Sequence, residues 1–115
     1  MIGNTLENTP LKIAIVAGER SGDELGAPLM KSLKSINPSI EFVGVGGSKM
    51  TSEGLESYFE MNEISVMGII EPLLNLRKLL KLRKGLKKYL HHQKPDIFIG
   101  IDSPDFNLPV ANFLK

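Results

Sequence analysis

Residues Pro95-Asp96-Ile97-Phe98-Ile99-Gly100-Ile101-Asp102-Ser103-Pro104-Asp105-Phe106-Asn107 decide the fold. The run 97–101 is short, apolar and rich in Ile, the composition of a strand buried on both faces of a parallel sheet. Its carboxyl end turns polar at once: Asp102 and Asp105 bracket Ser103-Pro104, with Asn107 just beyond. In open α/β sheets, ligands bind outside the carboxyl ends of the strands. A partly buried carboxylate there stands on a rigid support and faces a crevice, as a general base requires. The same residues also read as a metal pair or as helix caps. Asp105 and Asn107 are good N-cap types, whereas Asp102 closes an apolar strand and has no such local duty.

Working outward, 11–17 reads as a first buried strand, followed by Gly18-Glu19-Arg20-Ser21-Gly22-Asp23. Ser21 or Asp23 is placed to cap a helix running to about Ile36, with Leu25, Leu29, Leu33 and Ile36 on one face. Asn37-Pro38 ends it. A second strand over 40–45 leads into Gly46-Gly47-Ser48, and a short helical piece over 49–53 stops at Gly54. A weak third strand fits 55–59, and 61–68 is ambiguous. A helical pattern covers 69–91, with Pro72 tolerated in its first turn. A last helix is read over 108–115. The alternation implies a parallel sheet with right-handed crossovers. Three turns then gather at its carboxyl edge: 18–22, 44–48 and 102–107.

The glycine turns either cradle an anion at a helix N-terminus or simply make tight strand-to-helix connections. Neither matches a P-loop or the G-x-G-x-x-G dinucleotide pattern, which argues against NAD. Glu19 is placed either to bind a sugar hydroxyl or to stand in solvent.

Length and composition set outer limits. At 115 residues, 42% of them hydrophobic and 23% charged, the chain is long enough for one domain with a real core and is not globally disordered. Cysteine is absent, which excludes disulfides and thiolate metal sites and fits a reducing compartment. Residues 1–10 read as a disordered leader without the apolar core of a signal peptide. No apolar run approaches the ~20 residues needed to span a bilayer.

The net charge of +1 names no partner, but its distribution does. Arg77, Lys78, Lys81, Arg83, Lys84, Lys87 and Lys88 are interleaved with leucines and with no acid. Ile69, Leu73, Leu76 and Leu80 share one helical face; Leu79, Leu82, Leu86 and Leu90 form a neighbouring stripe. One stripe suffices to pack a helix on a sheet. A surplus stripe flanked by Lys and Arg suits an anionic membrane surface. A nucleic-acid reading competes, but no aromatic residues interleave with the bases. A wide core-facing stripe with solvated lysines is the plain alternative. His91 and His92 are adjacent, not i, i+4, and read as an exposed helix end and not as metal ligands.

Four motifs, in order and in register, carry a resemblance. They are Ala17-Gly18-Glu19-Arg20-Ser21-Gly22-Asp23, Phe42-Val43-Gly44-Val45-Gly46-Gly47-Ser48-Lys49-Met50, Val66-Met67-Gly68-Ile69-Ile70-Glu71 and the 95–107 stretch quoted above. From about Leu11 to the end the chain resembles the N-terminal part of the lipid-A-disaccharide synthase family. The resemblance implies an α/β, Rossmann-like parallel sheet with flanking helices, the N-terminal portion of a GT-B glycosyltransferase. Residues 11–115 would be an incomplete acceptor-side domain, with the donor-binding domain absent. It implies inverting transfer of a diacylated glucosamine from UDP-2,3-diacylglucosamine to 2,3-diacylglucosamine 1-phosphate, in lipid A and lipopolysaccharide synthesis. No cofactor or metal is implied, and this chain alone would be inactive. The implied partners are the two substrates, the missing C-terminal half and an anionic membrane, with no nucleic acid; the implied location is peripheral, on the cytoplasmic face of the inner membrane.

By that resemblance Asp102 is the base for the acceptor's 6-hydroxyl. Glu19, Ser21, Gly22, Gly46, Gly47, Asp105 and Asn107 would bind substrate, Asp105 and Asn107 also holding the loop. Ile69, Ile70, Leu73, Leu76, Leu79 and Leu80, with Arg77, Lys78 and Lys81, would meet the membrane and acyl chains. The sequence departs from the family at Arg20, where a small residue or Thr is usual, at Ser48-Lys49, often Pro-Arg, and at Pro72. The alternative reading is a stand-alone Rossmann-like module that binds a nucleotide or a protein without catalysis.

Overall fold

The computed structural model describes residues 10–69, 76–102 and 104–115. Its elements run β1 (Leu11–Val16), α1 (Arg20–Ile36), β2 (Ile40–Val45), α2 (Ser48–Ser52), β3 (Glu56–Ser57), α3 (Asn62–Ile69), α4 (Leu76–Gln93), β4 (Ile97–Gly100) and α5 (Pro104–Leu114). The four strands form one parallel sheet in the order β3-β2-β1-β4. This is the expected Rossmann-like architecture, and the sheet turns back on itself at β1, where such folds open a crevice.

β1 is the strand that the rest of the sheet is built on. It pairs with β2 from Leu11↔Ile40 to Val16↔Val45 and with β4 from Ile13↔Ile97 to Val16↔Gly100. Its side chains alternate between two cores. Ile13, Ile15 and Ala17 meet Ala27 and Met30 of α1, with Phe42, Met50 and Leu55. Ala14 and Val16 meet Leu86 and Leu90 of α4 and Phe106 and Val110 of α5 on the other face.

Burial on both faces is thus the property of β1, whereas β4 corrects the expectation for 97–101. β4 bonds only to β1 among the described residues, and Ile97 is 46% exposed, with Phe98 and Ile99 half-buried. The composition of the run is that of an inner strand; among the described residues β4 is paired on one side only.

The packing face of α1 is also corrected. Of the four expected residues Leu33 packs part-way on the core, whereas Leu25, Leu29 and Ile36 are 68%, 38% and 65% exposed, and the helix buries Gly22, Asp23, Gly26, Ala27 and Met30. A Cβ on Gly26 would come within 2.6 Å of Met50 Sδ and 2.8 Å of Ile101 Cδ1. Small residues let the helix axis approach the sheet, so closeness decides the face and not side-chain hydrophobicity.

β2 and α2 hold with small shifts, β3 is shorter than the expected 55–59, and the last helix begins at Pro104, before the expected 108. The ambiguous stretch over 61–68 is α3. α4 runs two residues beyond His91 and ends where Lys94 adopts a positive φ of 51°, its N–H bonding the Leu90 carbonyl at 3.1 Å, just before Pro95. Ile69, the expected first residue of that helix, is the last of α3; residues 70–75, with Ile70 and Leu73, lie outside the described residues, as does the leader over 1–9. α5 begins at Pro104, at the helix position proline favours, so Asp105 and Asn107 lie inside its first turn and not at an N-cap.

Candidate functional site

Loops following β1, β2 and β4 meet at the carboxyl edge of the sheet. Asp102, two residues past β4 and half-buried, reaches across to the first of them. Its Oδ1 accepts the Gly18 N–H at 2.5 Å and its Oδ2 the Glu19 N–H at 3.1 Å. Gly22 lies directly against it: a Cβ there would fall 2.1 Å from Oδ2. Asp102 therefore does have a structural duty, one that local sequence hides because its partners lie more than 80 residues away. An ionised carboxylate offers about four acceptor directions, so two remain for a hydroxyl. Asn107, buried at the start of α5, holds the same corner. Its Nδ2 donates to the carbonyls of Asp102 at 2.5 Å and Val16 at 3.4 Å. Asn107 makes these bonds from the first turn of α5, and the side chain of Asp105 lies outside the described residues.

The first loop is braced from a third direction by Ser65 of α3, whose Oγ donates to the Gly18 carbonyl at 2.5 Å. No helix or strand signal marked that stretch.

The second loop is held by Asp23, which with Ser21 is one of the two expected cap candidates of its own helix. The N-cap of α1 is instead Glu19, whose side chain makes no capping bond. The Asp23 carboxylate, 4% exposed, points across to α2 and accepts the N–H groups of Gly47 at 2.9 Å, Lys49 at 3.1 Å and Met50 at 2.9 Å. It caps the neighbouring helix, whose own N-cap, Gly47, has no side chain to do so.

Between the two loops lies a cleft of roughly 770 Å³. One wall carries Glu19, Arg20 and Ser21; the other carries Gly47, Ser48 and Lys49; Met61 just before α3, with Asn62 and Ser65 of α3, closes one side. Of the residues expected to bind substrate, Glu19, Ser21 and Gly47 stand on the wall. Gly22 and Gly46 do not: both are buried, Gly22 under Asp102 and Gly46 against Leu55 and Met50, its N–H donating to Ser57 Oγ at 3.2 Å. Asp102 does not line the cleft itself and is joined to its wall by the Glu19 N–H. The cleft is of mixed charge, with Lys49 Nζ 3.7 Å from Glu24 Oε1.

The basic helix α4 stands apart from this cleft and sorts its two leucine stripes. Leu86 and Leu90 are fully buried, and Leu79 packs part-way against the same core. Leu76 and Leu80 remain 46% and 43% exposed beside exposed Arg77, Lys78 and Lys81. Leu79 thus belongs to the core side and not to the surplus face on which it was placed; the side chain of Ile69 lies outside the described residues. Among the described residues, no helix is long and apolar enough to cross a membrane.

Fold and cleft together define a Rossmann-like α/β domain with an open cleft at the carboxyl edge of its sheet. A family model described as lipid-A-disaccharide synthetase matches residues 13–115. The chain is 60% identical over 105 residues to the lipid-A-disaccharide synthase of Pseudomonas fluorescens, an alignment covering 91% of this chain and 28% of that relative. It is 53% identical over 109 residues to the enzyme of that name from Escherichia coli, covering 95% and 28%. Against that of Vibrio vulnificus the identity is 49% over 110 residues, covering 96% and 29%. The chain belongs to the lipid-A-disaccharide synthase family, and it spans less than a third of the length of these relatives.

Proposed function

We propose that this chain is the acceptor-side, N-terminal portion of a lipid-A-disaccharide synthase of GT-B architecture. With a downstream donor-binding half it transfers 2,3-diacylglucosamine from its UDP conjugate to 2,3-diacylglucosamine 1-phosphate. Alone it is inactive, because the UDP site lies downstream. The observation that carries the reading is the aspartate at the carboxyl end of β4, oriented by two backbone N–H groups beside the first glycine loop, in a chain of this family.

In this reading Asp102 accepts the proton of the acceptor's 6-hydroxyl as that oxygen attacks the anomeric carbon. The bond from that carbon to the UDP oxygen breaks, UDP leaves, and the anomeric configuration inverts. The N–H groups of Gly18 and Glu19 fix the carboxylate's orientation, which is worth more to a base than its mere presence. Glu19, Ser21 and Gly47 line the acceptor's cleft. Leu76 and Leu80, with Arg77, Lys78 and Lys81, rest on the anionic cytoplasmic face of the inner membrane, near the acyl chains.

The test is Asp102→Asn in the full-length enzyme carrying this segment. Loss of a positioned base costs roughly 10²–10⁴ in turnover. Unchanged turnover in a folded variant would remove Asp102 from the role. Sedimentation with anionic vesicles tests the membrane face separately: binding undiminished in Leu76→Ser/Leu80→Ser would end that part of the reading.

A further inference from the structure

We infer that Asp23 is a positioning residue of the cleft, fixing the Gly46-Gly47 turn and thereby the wall against which the acceptor is held; this rests on the transfer reading above. Asp23 lies in the first turn of α1, yet spends its carboxylate on another element. Three backbone N–H groups converge on it, Gly47 and Met50 on Oδ1 and Lys49 on Oδ2. Only a carboxylate supplies both oxygens as acceptors: an amide would turn its NH₂ toward one of those N–H groups. The seat is close, since a Cβ on Gly47 would lie 2.6 Å from Asp23 Oδ2.

What makes this more than a cap is the neighbouring residue. Gly22 abuts Asp102, which holds the first loop; Asp23 holds the second. Two consecutive residues of one helical turn therefore register both walls, and with them the gap between Ser21 and Gly47. Cutting the Asp23 link releases the second wall while leaving Asp102 and the first loop in place. The loss falls on acceptor binding, not on proton transfer.

The experiment is steady-state kinetics of Asp23→Asn in the full-length enzyme, varying each substrate, with amide hydrogen exchange alongside. The expected result is an acceptor KM raised by about tenfold with kcat and the donor KM within about twofold, together with faster exchange at Gly47, Lys49 and Met50 only. A cap that served stability alone would lower the active fraction, and so kcat, at unchanged acceptor KM; that result overturns the inference. Gly47→Ala attacks the same contact from the other side and is expected to raise the same KM, and it decides the matter if Asp23→Asn does not fold. A wild-type enzyme that transfers no sugar overturns the transfer reading and this inference together. An active wild type with unchanged acceptor KM in the variants overturns only the inference.

Discussion

The Asn107 amide donates to the Asp102 carbonyl at 2.5 Å and reaches the Val16 carbonyl at 3.4 Å, tying the end of β4 to the end of β1 from a buried position. Asn107→Ala leaves both carbonyls without this donor. The expected cost is roughly 1–3 kcal/mol, read as a lowered urea midpoint of the full-length enzyme. Asn107→Asp replaces the donor with an acceptor facing two carbonyl oxygens and is expected to cost more. Equal stability of all three proteins would show that the tie is dispensable.

Gly22→Ala is expected to disable the site by displacement. The new methyl would lie 2.1 Å from Asp102 Oδ2 and 3.1 Å from Ala17 Cβ, so that oxygen must leave the Glu19 N–H and the carboxylate must turn from its present pose. Overpacking of this kind costs about 1–3 kcal/mol. Turnover of the full-length enzyme should fall with it, and normal turnover would show that the orientation of Asp102 is unimportant.

Gly85 offers the opposite case. It sits inside α4, and a Cβ there would meet nothing closer than Tyr58 Oη at 3.5 Å, an ordinary contact. Gly85→Ala should therefore stabilise by roughly 0.5–1 kcal/mol, the helix-propensity gain, with activity unchanged. Thermal denaturation of the full-length enzyme checks the sign.

The two leucine stripes of α4 should respond in opposite ways. Leu86 has no exposed surface, and Leu86→Ala is expected to cost about 2–5 kcal/mol. Leu80→Ala, on the exposed face, should stay within about 0.5 kcal/mol while weakening sedimentation with anionic vesicles. Paired denaturation and sedimentation measurements separate the roles. A strong stability loss at Leu80 would place it in a core.

Tyr89 supplies a pH dependence. Burial, then the nearby Glu56 carboxylate and Tyr58, raises its phenol above the ordinary value of 10.0. The folded state then keeps a proton that the unfolded state releases. The resulting stability is fully present below pH 10, and is lost as pH rises through the higher folded value. Ultraviolet difference titration of wild type against Tyr89→Phe should show a midpoint above 10.0, and the variant should lose less stability in that alkaline window. A midpoint at the ordinary value would remove the effect.

What the sequence shows plainly is what local patterning controls. Strands β1 and β2, helix α1 and the stop at Gly54 follow from apolar runs, Gly and Pro. It misleads where a long-range fact decides. The leucines of α1 promise a packing face, yet Gly22 and Gly26, four apart, are what let the helix reach the sheet. The signal was present as a small-residue spacing but carries no weight in a hydrophobicity pattern. The run 97–101 shows an inner-strand composition that says nothing of its place in the strand order. Asp102 was identifiable as a functional candidate from its position after an apolar strand. Its bonds to Gly18 and Glu19 were not, and neither were those of Asp23 to α2, because no local rule links a carboxylate to amides 24 to 84 residues away.

The bond from Gly18 to Asp102 spans 84 residues. During synthesis the first glycine loop emerges early, yet its acceptor leaves the ribosome only after nearly the whole segment has been made. At about 5–20 residues per second, that loop waits for seconds without the carboxylate that orders it. β1 waits likewise, able to pair with β2 but not with β4. The stretch around Gly18 thus stays unlatched through most of the segment's synthesis, and the aspartate that completes the site is also the latch that closes that interval.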